Sequence, residues 1–225
     1  MTRWRHGDVE HRLDVTEPVR GHANHGLVMG ATFHVDDRTR ESVRLATPVG
    51  PAAGYPFAVR LVVRYAVNDD GLDVRYSATT LRPEPAPAAI GAHPYLRVGD
   101  VPVERLTLQL PVASRFTLDA GLIPVAEGPL TGDHAALPAG LPLGERRLNE
   151  CYTRAGSSPA RLVAPDGSAV ELDPDDDFAF LQICVTDEFQ EEAGPRRAVA
   201  VEPMSAPPDA LNSGQVHDAP TGLEA

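Results

Sequence analysis

The sequence is short of cysteine, of aromatic rings and of basic charge, and it has no long apolar run. Its only cysteines are Cys151 and Cys184, far from any Cys-x-x-Cys spacing. Two such thiols make neither a disulfide framework nor a zinc knuckle, and buried free thiols are expected. Basic residues number 20 against 32 acidic ones, a formal net charge of −12. A surface of that sign repels nucleic acid and anionic membranes, so neither is expected as a partner. Apolar stretches are broken by Gly, Pro or charge well short of the roughly 18 residues that a spanning helix needs. The N-terminus, Met1-Thr2-Arg3-Trp4-Arg5-His6, has basic residues with no apolar stretch behind them. No signal peptide is read there, and a cytoplasmic location is expected.

What the chain has in quantity is punctuation. Its 22 Pro and 19 Gly are spread throughout, which argues against long helices. Between them lie short alternating runs. Arg60 to Val67 reads R-L-V-V-R-Y-A-V, Asn68-Asp69-Asp70-Gly71 makes a turn, and Leu72 to Thr79 follows with period-two alternation. That pattern predicts a β-hairpin. Further strands are predicted at His34 to Asp36, Ser42 to Ala46, Arg105 to Leu110, Ala160 to Val163, Ala169 to Leu172, Phe178 to Val185 and Ala198 to Val201. Pro165-Asp166-Gly167 closes a second hairpin. Many short strands, with turns every 8 to 12 residues or so, point to an antiparallel β-sandwich or barrel. Hydrophobic residues make up 42% of the chain, enough to fill a core. One all-β domain over residues 1–225 is expected, with 215–225 a loose tail. Of the two acidic runs, Asp69-Asp70-Gly71 is a hairpin turn and Asp175-Asp176-Asp177 lacks the spaced ligands and closing Glu of a calcium loop, so both read as solvated turns.

Three segments place a titratable residue beside Gly or Pro at the end of an apolar strand, where chemistry tends to sit. They are Gly21-His22-Ala23-Asn24-His25-Gly26-Leu27, Ile90-Gly91-Ala92-His93-Pro94-Tyr95-Leu96, and the run from Val199 through Glu202-Pro203-Met204 to Gly214. His22, His25 and His93 have no tight ligand spacing, so a metal site is not expected.

These residues carry a resemblance. His25-Gly26-Leu27, the hairpin preceded by Gly54-Tyr55-Pro56-Phe57, His93-Pro94-Tyr95 and the stretch V-E-P-M-x-A-P-P-x-A-x-N-S-G (Val201 to Gly214) resemble the aldose 1-epimerase (galactose mutarotase) family, in this order. The resemblance runs from about Arg3 to Gly214. It implies a galactose mutarotase-like antiparallel β-supersandwich and an enzyme that interconverts the α and β anomers of a free aldohexose by acid–base ring opening and closure, with no metal or organic cofactor. It implies His93 as the acid at the ring oxygen, Glu202 as the base at the anomeric hydroxyl, and His25 as a hydrogen-bond partner near the same atoms. Arg3 matches the Arg of a short sugar-positioning element. Asn149 falls where the family has a sugar-binding Asp, with Glu150 beside it. Tyr95 itself reads as a pocket wall or a core ring, and a sugar face could stack on it. Family members begin with further strands before the Arg element and end with further strands after the N-S-G segment, so this chain is expected to lack some terminal strands. Two other functions stay open. One is a carbohydrate-binding protein that has lost efficient catalysis. The other is an epimerase of a hexose 6-phosphate, for which Arg5, Arg97, Arg146 and Arg147 are the available cations.

Overall fold

The computed structural model describes residues 1–192 and 194–219, and the chain divides into two compact units, 1–88 with 209–225 and 89–208. Its regular structure is almost wholly antiparallel strand.

The first unit holds β1 (Arg3–His6), β2 (Val9–Arg12), β3 (His34–Arg38), β4 (Ser42–Val49), β5 (Val59–Asn68), β6 (Gly71–Thr80) and β7 (Ala86–Ala88). β1 and β2 form a hairpin, and β3 to β6 form a four-stranded meander in chain order. The predicted hairpin is β5–β6, with Asn68 opposite Gly71, so the turn proper is only Asp69-Asp70. Asn68 Oδ1 closes it by accepting from the backbone N–H groups of Asp70 and Gly71, both at 2.9 Å.

The Gly54-Tyr55-Pro56-Phe57 motif belongs to this unit's small core of Trp4, Tyr55, Val59, Ala86 and Ala219. The Trp4 indole donates to the Gly54 carbonyl at 2.8 Å, and the Tyr55 hydroxyl donates to the Pro87 carbonyl at 3.0 Å. Gly54 has φ +77°, and a Cβ there would lie 2.1 Å from the Arg12 carbonyl oxygen. Only glycine fits both the backbone angle and the close approach.

The second unit holds β8 (Tyr95–Leu96), β9 (Thr107–Gln109), β10 (Val112–Leu118), β11 (Pro124–Pro129), β12 (Leu141–Pro142), β13 (Leu148–Arg154), β14 (Ala160–Val163), β15 (Ala169–Leu172), β16 (Phe180–Glu191) and β17 (Gly194–Met204). They make a six-stranded sheet, β11-β10-β13-β16-β17-β8, and a four-stranded sheet, β12-β9-β14-β15. Both contribute to one core. Leu108 and Leu162 come from the smaller sheet, and Tyr152, Leu181, Ile183, Val185, Val199 and Val201 from the larger. This is a two-layer β-sandwich. Alternation along β16 explains its orientation: Leu181, Ile183 and Val185 are buried in this core, which leaves Phe180, Gln182 and Cys184 on the other face.

The strand expected from Arg105 is shorter, because residues 103–105 form a 3-10 turn and pairing starts at Thr107. Within the stretch expected as a loose tail, β18 (His217–Ala219) pairs with β7 and brings Ala219 into the first unit's core. Residues 220–225 of that expected tail lie outside the described residues. Among the described residues no helix is long and apolar enough to cross a membrane.

Candidate active site

The site is built by an edge of the six-stranded sheet. The segment 90–96 runs antiparallel to residues 199–205 in one unbroken register. Gly91 bridges Met204, Tyr95 pairs with Ala200, and Leu96 pairs with Val199. Between those pairs Ala92 N donates to the Pro203 carbonyl at 3.1 Å, and Val201 N donates to the Pro94 carbonyl at 3.3 Å. The register therefore sets His93 directly opposite Glu202. Pro94 and Pro203 have no N–H, so the rung on each side of this pair has lost one of its two bonds. His93 and Glu202 occupy the rung between, where side chains of an antiparallel pair come closest. His93 Nε2 lies 3.3 Å from Glu202 Oε1.

The two partners differ in solvation. His93 keeps a third of its side chain open, at 33%, against 11% for Glu202. Burial pushes the Glu202 carboxyl up from its ordinary value to about 8. A carboxyl kept protonated towards neutral pH, touching an imidazole, can accept or release a proton in the range where an enzyme works.

Alternation carries the site across the sheet. Glu202 pairs with Gln182, and Gln182 with Cys151, while Tyr95, Ala200, Cys184 and Asn149 form the neighbouring row. Gln182 Nε2 donates to Asn149 Oδ1 at 2.7 Å, which ties the two amides together. The His93 and Tyr95 rings lie 5.0 Å apart, and Tyr95 meets Phe189 at 4.4 Å. The Tyr95 hydroxyl is held above its usual range by burial first, then by Cys184 and Glu202. Phe189 reaches Tyr95 from a bulge between Thr186 and Phe189. Asp187 fixes that bulge by accepting from Arg147 and, at 2.7 Å, from Arg197.

Of the residues singled out from sequence, His93, Glu202, Tyr95 and Asn149 thus share one sheet. Glu150 pairs with Ile183, a core residue, and so points away from Asn149's face. It lies 3.9 Å from Arg115. Arg3 and His25 belong to the first unit. Arg3 is exposed on β1 and pairs with Glu10 at 3.2 Å. His25 is exposed in a turn at φ +58°, followed by Gly26 at +68°, which explains why glycine follows it. Gln182 and Phe189 were not foreseen. A polar Gln alternating with Leu181 and Ile183 was the available signal for the first, whereas Phe189 depends on a bulge that no pattern announces.

The aldose 1-epimerase family profile matches residues 2–220. The uncharacterized protein YihR of Escherichia coli K12 is 26% identical over 212 residues, covering 94% of this chain and 67% of that one. Among solved structures, a putative aldose 1-epimerase from E. coli K12 superposes with a TM-score of 0.81 at 18% identity, over 99% of this chain and 75% of that one. A GalM/aldose epimerase homologue from C. elegans gives 0.81 at 19% identity, over 99% and 74%. A galactose mutarotase-like protein from Clostridium acetobutylicum gives 0.81 at 13%, over 94% and 67%. At these identities the structures speak for the fold, which is the galactose mutarotase-like one, and the profile match speaks for the family: the chain belongs to the aldose 1-epimerase family.

Proposed function

We propose that the protein interconverts the α and β anomers of a free aldohexose, with His93 as acid and Glu202 as base. The observation that carries this is the cross-strand His93–Glu202 pair at 3.3 Å, with the carboxylate the more buried partner. Mutarotation moves protons on two oxygens borne by the same carbon: the ring oxygen and the anomeric hydroxyl. An acid and a base that serve such neighbouring atoms must themselves sit side by side, as these do.

In its ionised form, which grows as pH rises towards 8, Glu202 takes the proton from the anomeric hydroxyl as His93 delivers one to the ring oxygen. The C1–ring oxygen bond breaks and C1 becomes an aldehyde. C1 then turns about the C1–C2 bond, and the roles reverse as the ring closes on the other face. The proton taken and the proton given balance, and no C–H bond is touched. Asn149 and Gln182 offer amide donors and acceptors to sugar hydroxyls, and Tyr95 offers an apolar ring to a sugar face. His25 and Arg3 are assigned to substrate positioning in the same reading.

A hexose 6-phosphate gains no support, because its candidate cations are already engaged. Arg97 is held by the Gly99 carbonyl and Asp100, Arg146 by Asp133 at 2.6 Å, Arg147 by Asp187, and Arg5 by the Asp8 carbonyl at 3.4 Å.

Proton NMR of freshly dissolved α-D-glucose and α-D-galactose in deuterium oxide tests the reaction class. The expected result is accelerated appearance of the β anomer with no deuterium at C1 or C2. Deuterium at C2 would mean enolisation and would overturn the mechanism. Sugar binding by calorimetry with no acceleration would leave a binding protein.

A further inference from the structure

Strand β16 changes sides partway along. Up to Thr186 it alternates, with Leu181, Ile183 and Val185 in the core and Gln182 and Cys184 on the face of Glu202. Thr186 pairs with Ala198, and the next pair is Phe189 with Arg196. β16 thus takes three steps where β17 takes two, and the extra residue makes a β-bulge. With a side-chain period of two, one extra residue exchanges the faces. In a regular strand Phe189 would follow Leu181, Ile183 and Val185 to the core face. Beyond the bulge it instead shares a face with Arg196, Ala198, Ala200 and Glu202 of β17.

The turned ring completes a row. Phe189 lies 4.4 Å from Tyr95, Tyr95 lies 5.0 Å from His93, and His93 Nε2 reaches Glu202. Between Phe189 and Tyr95, β17 presents the small side chains of Ala198 and Ala200 on this face, which leaves room for the two rings to lean together. Ladder bonds fix the backbone of β8 but not the side-chain torsions of Tyr95. Those are set by the rings that flank it.

A charge cluster holds the bulge. Asp187, inside it, accepts from Arg147 and, at 2.7 Å, from Arg197 on the facing strand. The Arg197 side chain is 14% exposed, and its Nε is buried without a hydrogen-bond partner among the described residues. A guanidinium that deep needs a counter-charge, and Asp187 supplies it from the bulge. Neutralising Asp187 leaves the cation short of its partner and unpins the extra residue.

We infer that Asp187 is a positioning residue for the sugar site: it pins the bulge that turns Phe189 against Tyr95, and so sets the wall on which a sugar face stacks. The identity of the ligand rests on the anomer-exchange reading above. Asp187 acts through Phe189 and Tyr95 and takes no part in the proton transfers. A wall contact is made alike with the bound sugar and with the transition state, so its loss raises KM and spares kcat.

NMR of the aromatic rings and steady-state anomer exchange, both on the full chain, test this with wild type, Asp187→Asn, Phe189→Leu and Phe189→Tyr. In the wild type the Tyr95 ring protons should carry the ring-current shift of Phe189. Asp187→Asn and Phe189→Leu should each remove that shift. Both should raise KM by about three- to tenfold, the worth of one aromatic contact, with kcat within about twofold of wild type. Phe189→Tyr keeps the ring and should keep the wild-type KM. A wild type that binds a hexose without turning it over would refute the anomer-exchange reading alone, and the same rise is then expected in Kd by calorimetry. Tyr95 signals that stay in place in Asp187→Asn would overturn the proposal. So would sugar affinity unchanged in Phe189→Leu, or losses confined to kcat or to the melting temperature.

Discussion

Replacing Glu202 with Gln should cut activity by roughly 10²–10⁴-fold while making the protein more stable at neutral pH. The folded chain holds the Glu202 carboxyl at about 8 by burial, against an ordinary 4.5. Between 4.5 and pH 7 the unfolded chain has released this proton and the folded chain has kept it. Each pH unit of that interval costs about 1.4 kcal/mol, so the deficit at pH 7 is about 3 kcal/mol. The sign follows from the raised value: this contribution is whole below about pH 4.5 and is lost as pH rises towards 8. Gln has the shape of the protonated acid and no charge to lose, so the variant lacks this slope. Relative to wild type, Glu202→Gln should gain roughly 2–3 kcal/mol between pH 5 and pH 7.5, roughly 5–10 °C in melting temperature for a chain of this size. Urea unfolding of both proteins across that range is the assay. Parallel stability profiles would refute the burial argument. Wild-type stability rising between pH 5 and 7.5 faster than the variant's would reverse its sign.

Other expectations follow from particular contacts. Arg115 Nη1 lies 2.6 Å from His134 Nε2, and a guanidinium can only donate, so His134 is neutral and its Nδ1–H donates to the Tyr152 hydroxyl at 2.7 Å. Tyr152→Phe leaves that half-buried N–H without its acceptor and should cost about 1 kcal/mol in urea unfolding, whereas an unchanged midpoint would contradict the assignment. His134 itself is held below its ordinary 6.5 by burial first and then by Arg115, so its contribution is lost as pH falls through 6.5. His134→Phe should flatten the acid limb of the stability profile. Leu181 is fully buried in the second unit's core, and Leu181→Ala should cost ~2–5 kcal/mol, measured the same way. Burial pushes the Cys151 thiol to about 12, so iodoacetamide at pH 8 should label it only after unfolding; prompt labelling of the folded protein would contradict its burial.

The β5–β6 hairpin was legible because its alternation and turn residues agree, and the runs Phe178 to Val185 and Ala198 to Val201 mark only the stretches of β16 and β17 that pack the core. β1, β10 and β11 were not: Arg3–His6 is too charged, Val112–Leu118 mixes polar residues into both faces, and Pro124–Pro129 begins and ends in proline. Each is a strand because a neighbour supplies its hydrogen bonds, which a one-dimensional pattern does not record. His93 and Glu202 were visible only as members of a motif set. Their juxtaposition rests on a register between segments about a hundred residues apart, which chain order alone does not fix. The Asn149–Gln182 bond and the Phe189–Tyr95 contact were hidden for the same reason.

The central claim is that His93 and Glu202 together carry the anomer exchange, and polarimetry tests it most directly. Fresh α-D-glucose and α-D-galactose are followed with wild type, His93→Ala and Glu202→Gln, each shown to be folded. The account predicts accelerated decay of rotation with the wild type and a loss of roughly 10²–10⁴-fold in each variant. Wild-type rates retained in both variants would contradict it.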